Sequence, residues 1–144
     1  MKKTNRVFQQ FIIALCSLFI SSACILFVPL VYNKSKATII CSVVFWVSLI
    51  LGYTLIFLIH RKRTKNGRGK ISIITFFRNP PAKVADAILI ISVAVAIAMG
   101  ILKKQLGYGQ YIIYFIIVFS FHMHSLFNSD TYRFIQGEVR RGKG

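Results

Sequence analysis

Apolar residues gather into four long blocks along the chain, separated by short polar or basic stretches. The blocks cover approximately residues 11–31, 37–59, 84–102 and 108–127. Each block is close to the roughly 20 residues that an α-helix needs to cross the hydrocarbon core of a bilayer. The pattern therefore predicts an all-α membrane protein with four transmembrane helices. We expect residues 1–144 to form a single four-helix bundle, with no room for a separate soluble domain.

The connections between the blocks indicate how the helices pair. The connections after the first and third blocks are very short, so each should join antiparallel neighbours and produce two hairpins. The middle connection, residues 60–83, is long and basic. Within it, residues 71–77 are apolar but too few to span, which is typical of a short segment at the membrane interface. Asn79-Pro80-Pro81 then stops any preceding helix, so the third helix should begin afresh near Ala82.

Charge sets the expected orientation. The chain has 19 Lys and Arg residues against three acids, while 56% of its residues are hydrophobic. Fifteen of the basic residues lie before the first block, between the second and third, or after the fourth, and only four lie in the short connections. The positive-inside rule then places both termini, the loop 60–83 and the tail 128–144 on the cytoplasmic side of a bacterial inner membrane.

The same charge distribution indicates the partners. Basic segments at a membrane surface attract anionic lipid headgroups. The sequence contains no folded module that reads nucleic acid, so we expect lipid, together with a second copy of this chain or another membrane protein, and no nucleic acid.

Ionisable residues within a membrane are costly, so they mark candidate sites. Asp86 opens the third block, His122 and His124 close the fourth, and His60 ends the second, so all four share the cytoplasmic depth. Asn128 follows directly after the fourth block. One interpretation is a cytoplasm-facing pocket that serves as a proton relay, an ion site or a docking point. Because His122 lies deeper than His124, we expect it to be the histidine that pairs with Asp86.

A simpler interpretation is that these are ordinary interfacial polar residues. Asp86 would then bond to backbone N–H groups in the first turn of its helix, or to Arg78 or Lys83. His122 and His124 are two residues apart and therefore about 200° around a helix, so they cannot share one pocket. Three acids also leave little for paired-carboxylate catalysis. We predict no catalytic activity, no metal and no cofactor.

Small residues and cysteines fall within the predicted spans. Ser92, Ala96 and Gly100 recur every four residues and predict a close helix contact on one face of the third helix. The cysteines, at positions 16, 24 and 41, show no paired metal-ligand spacing and are expected to be small buried residues. The alternative for Cys24 and Cys41 is a disulfide near the outer face.

These features favour a protein that acts through contacts. We expect a non-catalytic accessory, regulatory or immunity-type subunit that binds another membrane protein. The alternative is a small transporter or channel built as a homo-oligomer. The polar residues lie at the cytoplasmic end, whereas transport sites lie near the middle of the membrane, and this favours the first interpretation.

Overall fold

The computed structural model describes residues 2–65, 75–102 and 106–141, which form five α-helices. They are α1 (Lys2–Val31), α2 (Ser35–Lys65), α3 (Pro80–Ile101), α4 (Tyr108–Phe127) and α5 (Asp130–Arg141). The all-helical prediction is confirmed, and α1 to α4 are each long and apolar enough to cross a membrane. The predicted interfacial segment falls mostly on residues 71–74, which lie outside the described residues.

The helices are longer than the apolar blocks that predicted them. α1 begins at Lys2 and α2 continues to Lys65, because Lys and Arg are good helix formers and do not end a helix. α3 begins at Pro80 rather than near residue 84. Asn79 has an extended backbone and its side chain accepts a hydrogen bond from the Ala82 N–H at 3.0 Å, so it caps the helix. The prolines that stop the preceding chain therefore also start α3.

The fifth helix was not predicted from the sequence, which was interpreted there as a basic tail. Its start is marked by Ser129, whose hydroxyl accepts a hydrogen bond from the Tyr132 N–H at 3.2 Å. Thr131, Phe134 and Ile135 are buried on one face, at the spacing expected of an amphipathic helix. A serine cap followed by apolar side chains at helical spacing was the signal that could have revealed α5.

The four long helices form an open row. α1 packs along α2, α3 packs along α4, and α1 also lies against α4. In the part of the chain that the structure describes, the backbone of α3 packs only on α4 and the backbone of α2 only on α1 and α5, while the Tyr53 and Ile59 side chains of α2 reach α4. The spatial order is therefore α2, α1, α4, α3, which leaves α2 and α3 as edge helices with large exposed surfaces.

Burial is concentrated at one end of the row, where α1 begins, α2 ends, α3 begins and α4 ends. Most Lys and Arg residues flank this end, which we refer to as the basic end. α5 lies across it and contributes to an apolar cluster with α1, α2 and α4, formed by Val7, Phe11, Ile59, Leu126, Phe134 and Ile135. A second cluster joins Leu18, Ala85 and Met123. These contacts fix the helix ends that carry the polar residues.

A close helix contact lies between α1 and α2, where Gly52 faces Leu18. A Cβ added at Gly52 would lie 2.9 Å from the Leu18 side chain and 3.4 Å from the carbonyl oxygen of Ala14. On α3, Ser92 is buried, but Gly100 is exposed and a Cβ there would have no atom of the described residues within 4 Å. The predicted contact along Ser92, Ala96 and Gly100 is therefore not made in full within the described chain, where α3 is an edge helix, and it stays a prediction.

Candidate functional site

A fully buried carboxylate, Asp86, lies near the start of α3 at the basic end. Its Oδ1 is 2.7 Å from Nδ1 of His124 on α4. The side-chain amide of Asn128 donates to both carboxylate oxygens, at 3.0 and 3.1 Å. Oδ2 also accepts a hydrogen bond from the backbone N–H of Phe77 at 2.7 Å. A carboxylate can be buried only when donors replace its water, and these groups supply them.

The histidine beside Asp86 is His124, so the expectation that His122 pairs with it is wrong. The two histidines point to different sides of α4, and the side that faces α3 carries His124. His122 faces α2 instead, where the hydroxyl of Tyr53 lies 2.7 Å from its Nδ1. Angular position around the helix, rather than depth along it, therefore decides the pairing.

The predicted cluster of five residues divides into three groups in the structure. Asp86, His124 and Asn128 are in direct contact. His122 joins α4 to α2 through Tyr53, a residue that the sequence analysis did not single out. His60 lies near α5, with its Nδ1 3.3 Å from the Thr131 hydroxyl.

The chemistry open to the Asp86–His124 pair is limited. An ionised carboxylate only accepts hydrogen bonds, so Nδ1 of His124 carries the hydrogen that points to Asp86. The His124 side chain is 15% exposed, and the ring of Phe76 lies 4.5 Å from it between centroids. No group of three or more His, Cys, Asp or Glu residues gathers in residues 2–65, 75–102 and 106–141. The pair can orient a ring and hold a proton, and it lacks the ligand number of a typical metal site.

The main structural consequence of this cluster is to fix the segment before α3 on the end of α4. The Arg78 N–H donates to the Asn128 side chain at 3.2 Å, and the Asn79 side chain donates to the carbonyl oxygen of Phe127 at 2.7 Å. Phe77 has a left-handed backbone with φ 54°. That conformation costs a non-glycine residue about 1–2 kcal/mol, and the hydrogen bond to the buried carboxylate offsets it.

A second polar cluster connects both sides of the central connection. Asp130, at the start of α5, pairs with Arg78 just before α3 and with Arg63 near the end of α2, the latter at 3.5 Å. Arg63 is almost fully buried, so this pair is shielded from solvent. The sequence places Asp130 just beyond the fourth apolar block, close to the polar cluster, but nothing in the local pattern shows that two distant arginines meet there.

The two clusters account for the carboxylates of Asp86 and Asp130 at the basic end through contacts within the chain. Comparison with protein-family models, with curated proteins and with solved structures gave no match. The function is therefore inferred from the geometry of the helices and their polar contacts.

Proposed function

We propose that this chain is a multi-pass protein of a bacterial inner membrane, a non-catalytic accessory, regulatory or immunity-type subunit that acts by binding another membrane protein. The pairs α1–α2 and α3–α4 would be two transmembrane hairpins, with a short interfacial segment before α3. Four apolar helices of spanning length support this placement. The fifteen-to-four distribution of basic residues supports a cytoplasmic basic end in contact with anionic lipid headgroups.

The observation that carries the proposal is the exposed surface of α2. Only 6% of the most apolar stretch of α2 is buried, against 39% for α1. Along one side of α2, exposed large side chains recur at alternating spacings of four and three residues, namely Ile39, Val43, Trp46, Ile50, Tyr53 and Phe57; Tyr53 is the least exposed of them and its hydroxyl reaches His122 of α4. This is the spacing with which one helix packs into the holes of another. We refer to these six residues as the α2 face.

Trp46 favours a protein over lipid as the group that covers the α2 face. Tryptophan is enriched at membrane interfaces, where its ring is apolar and its N–H can reach a polar partner. Trp46 lies well inside α2 and its side chain is 59% exposed. At that depth hydrocarbon offers no hydrogen-bond acceptor, whereas a neighbouring helix can offer a side-chain or backbone oxygen. A helix of another membrane protein can supply the acceptor for the Trp46 N–H, so we take such a helix as the group that covers the α2 face.

Most of the polar side chains of the spans with a described hydrogen bond support a contact-making role rather than transport, although Ser21 Oγ and His122 Nε2 are buried without a described partner. The hydroxyls of Ser17, Ser22, Ser48 and Ser92 each donate to a carbonyl of their own helix, at 2.6 to 3.0 Å. The carboxylate of Asp86 is likewise bonded within the chain. Polar groups that are already bonded internally do not provide a row of free sites along which an ion or substrate could move.

Affinity purification from native membranes in a mild detergent tests this function. The wild-type chain should retain a different membrane protein in a fixed ratio. A Trp46→Ala/Ile50→Ala variant should lose that protein. The matched variant Ile90→Ala/Ile97→Ala should keep it, because it removes equally exposed side chains from α3. A wild-type chain that purifies without any other membrane protein would contradict the proposed function, and equal retention by both variants would contradict the α2 face.

A further inference from the structure

The three cysteines occupy different environments, although all three thiols are free. Cys16 is exposed on α1, so its predicted burial is wrong, while Cys24 is buried and Cys41 is partly buried. Cys24 lies seven residues before the end of α1, and Cys41 lies six residues after the start of α2. The turn between these helices therefore places the two residues at the same height on facing helices.

The contact between this pair is direct. Sγ of Cys41 lies 3.6 Å from the carbonyl oxygen of Cys24, so the thiol of one cysteine touches the backbone of the other. The turn is held by the Thr38 hydroxyl, which donates to the carbonyl oxygen of Val31 at 2.6 Å. Disulfides need Cα atoms within about 7 Å, which only closely packed helices allow. The Gly52 contact farther along the same helices shows that α1 and α2 pack in this way.

A small oxidant can also reach the thiols of Cys24 and Cys41. Cys24 and Cys41 line one apolar groove of about 480 Å³ between α1 and α2, together with Phe27 and Ala37. The groove contains both sulfur-bearing side chains and is open at the surface of the helix pair. A small uncharged oxidant that partitions into the bilayer therefore has access to them.

We propose that Cys24 and Cys41 are an oxidisable pair that forms an intramolecular disulfide and covalently joins α1 to α2. The oxidant is a small-molecule disulfide. The thiolate of Cys41, the more accessible of the two, attacks one sulfur of the oxidant and releases one small thiol, leaving a mixed disulfide. The Cys24 thiol then loses its proton and attacks Sγ of Cys41, which releases the second small thiol. Two cysteine thiols are oxidised and one small disulfide is reduced to two thiols.

This inference does not depend on the proposed partner contact, and Cys16 provides an internal control. The full chain carrying Cys16→Ser contains only the pair. It is reduced in detergent micelles, freed of reductant and exposed to 2-hydroxyethyl disulfide. Free thiols are then counted with a maleimide after denaturation, and the intact mass is measured. The comparison chain carries Cys24→Ser, which leaves Cys16 and Cys41 on the same fold.

The Cys16→Ser chain should lose both free thiols while its mass falls by two hydrogens, without any added small thiol. The Cys24→Ser chain should instead gain the mass of mixed-disulfide adducts. Peptide mapping of the oxidised wild-type chain, which requires no substitution, should recover a Cys24–Cys41 linked peptide. Mixed-disulfide adducts on both cysteines of the Cys16→Ser chain, retention of both thiols, or linked peptides that join two chains would each overturn the proposal.

Discussion

Nδ1 of His124 lies 2.7 Å from Oδ1 of Asp86, so an imidazole on α4 and a buried carboxylate on α3 join two helices at the basic end. The same carboxylate holds the left-handed residue Phe77 through its backbone N–H. One side chain thus fixes a helix pair and the segment that enters it.

The first prediction concerns the coupling between Asp86 and His124. A double-mutant cycle with Asp86→Asn and His124→Ala should give a coupling free energy of roughly 1–3 kcal/mol, because a charged hydrogen bond in a buried site is lost. The measurement is denaturant unfolding in detergent micelles. The matched cycle of Asp86→Asn with His122→Ala should be additive within about 0.5 kcal/mol, since His122 contacts Tyr53 instead. The reverse result would contradict the pairing.

The second prediction compares two glycines. Gly52→Ala should lower the free energy of unfolding by about 1–3 kcal/mol, because the new methyl group would lie 2.9 Å from Leu18 and close to the α1 backbone. Gly100→Ala should leave stability unchanged or raise it by up to about 1 kcal/mol, since alanine favours helix and no atom of the described residues lies within 4 Å of the new methyl group. Thermal unfolding of both variants checks this, and equal losses at the two positions would show that the α1–α2 contact is not the closer one.

The third prediction concerns α5. Asp130→Asn removes the charge that pairs with Arg63 and Arg78, so the start of α5 should open more often and its amides should exchange faster with deuterium. Hydrogen exchange followed by mass spectrometry measures this directly. Arg140→Gln, a change of an exposed residue on the same helix, is the control and should leave exchange near Asp130 unchanged.

The hydrophobic pattern predicted the long helices well, because a helix needs roughly 20 consecutive apolar residues to cross the hydrocarbon core of a bilayer. The pattern did not predict the features that depend on contacts between helices. The choice between His122 and His124 depends on how α4 is rotated against α2 and α3, and no local pattern specifies that rotation. The grouping of Asp86 with Asn128 was anticipated because both lie at the same end of neighbouring helices.

The position of the close helix contact shows the same limit. Small residues do recur regularly along α3. Such a stripe forms a helix contact only where another helix lies beside it, and no described residue lies beside Gly100. α1 carries buried small residues at Ala14, Ser17 and Ser21, whose spacing of three and four residues was available in the sequence. Which of two such stripes is used follows from the order of the helices, and that order was not predicted.

The fourth prediction concerns orientation. Alkaline phosphatase fused after Gly144 should be inactive, because the basic end and the tail are proposed to remain in the cytoplasm. The same enzyme inserted after Asn33, in the turn between α1 and α2, should be active. High activity at Gly144 together with low activity at Asn33 would mean that the protein is inserted in the opposite direction.

The most direct test of the central claim is photo-cross-linking from the α2 face in native membranes. A photoreactive amino acid at Ile50 should give a discrete adduct with a different membrane protein, whereas the same residue at Ile97, equally exposed on α3, should give none. Ile50 lies one turn from Trp46, so a helix that covers the indole must also lie within reach of it. Adducts with lipid alone at both positions, or an adduct that contains only a second copy of this chain, would contradict the account.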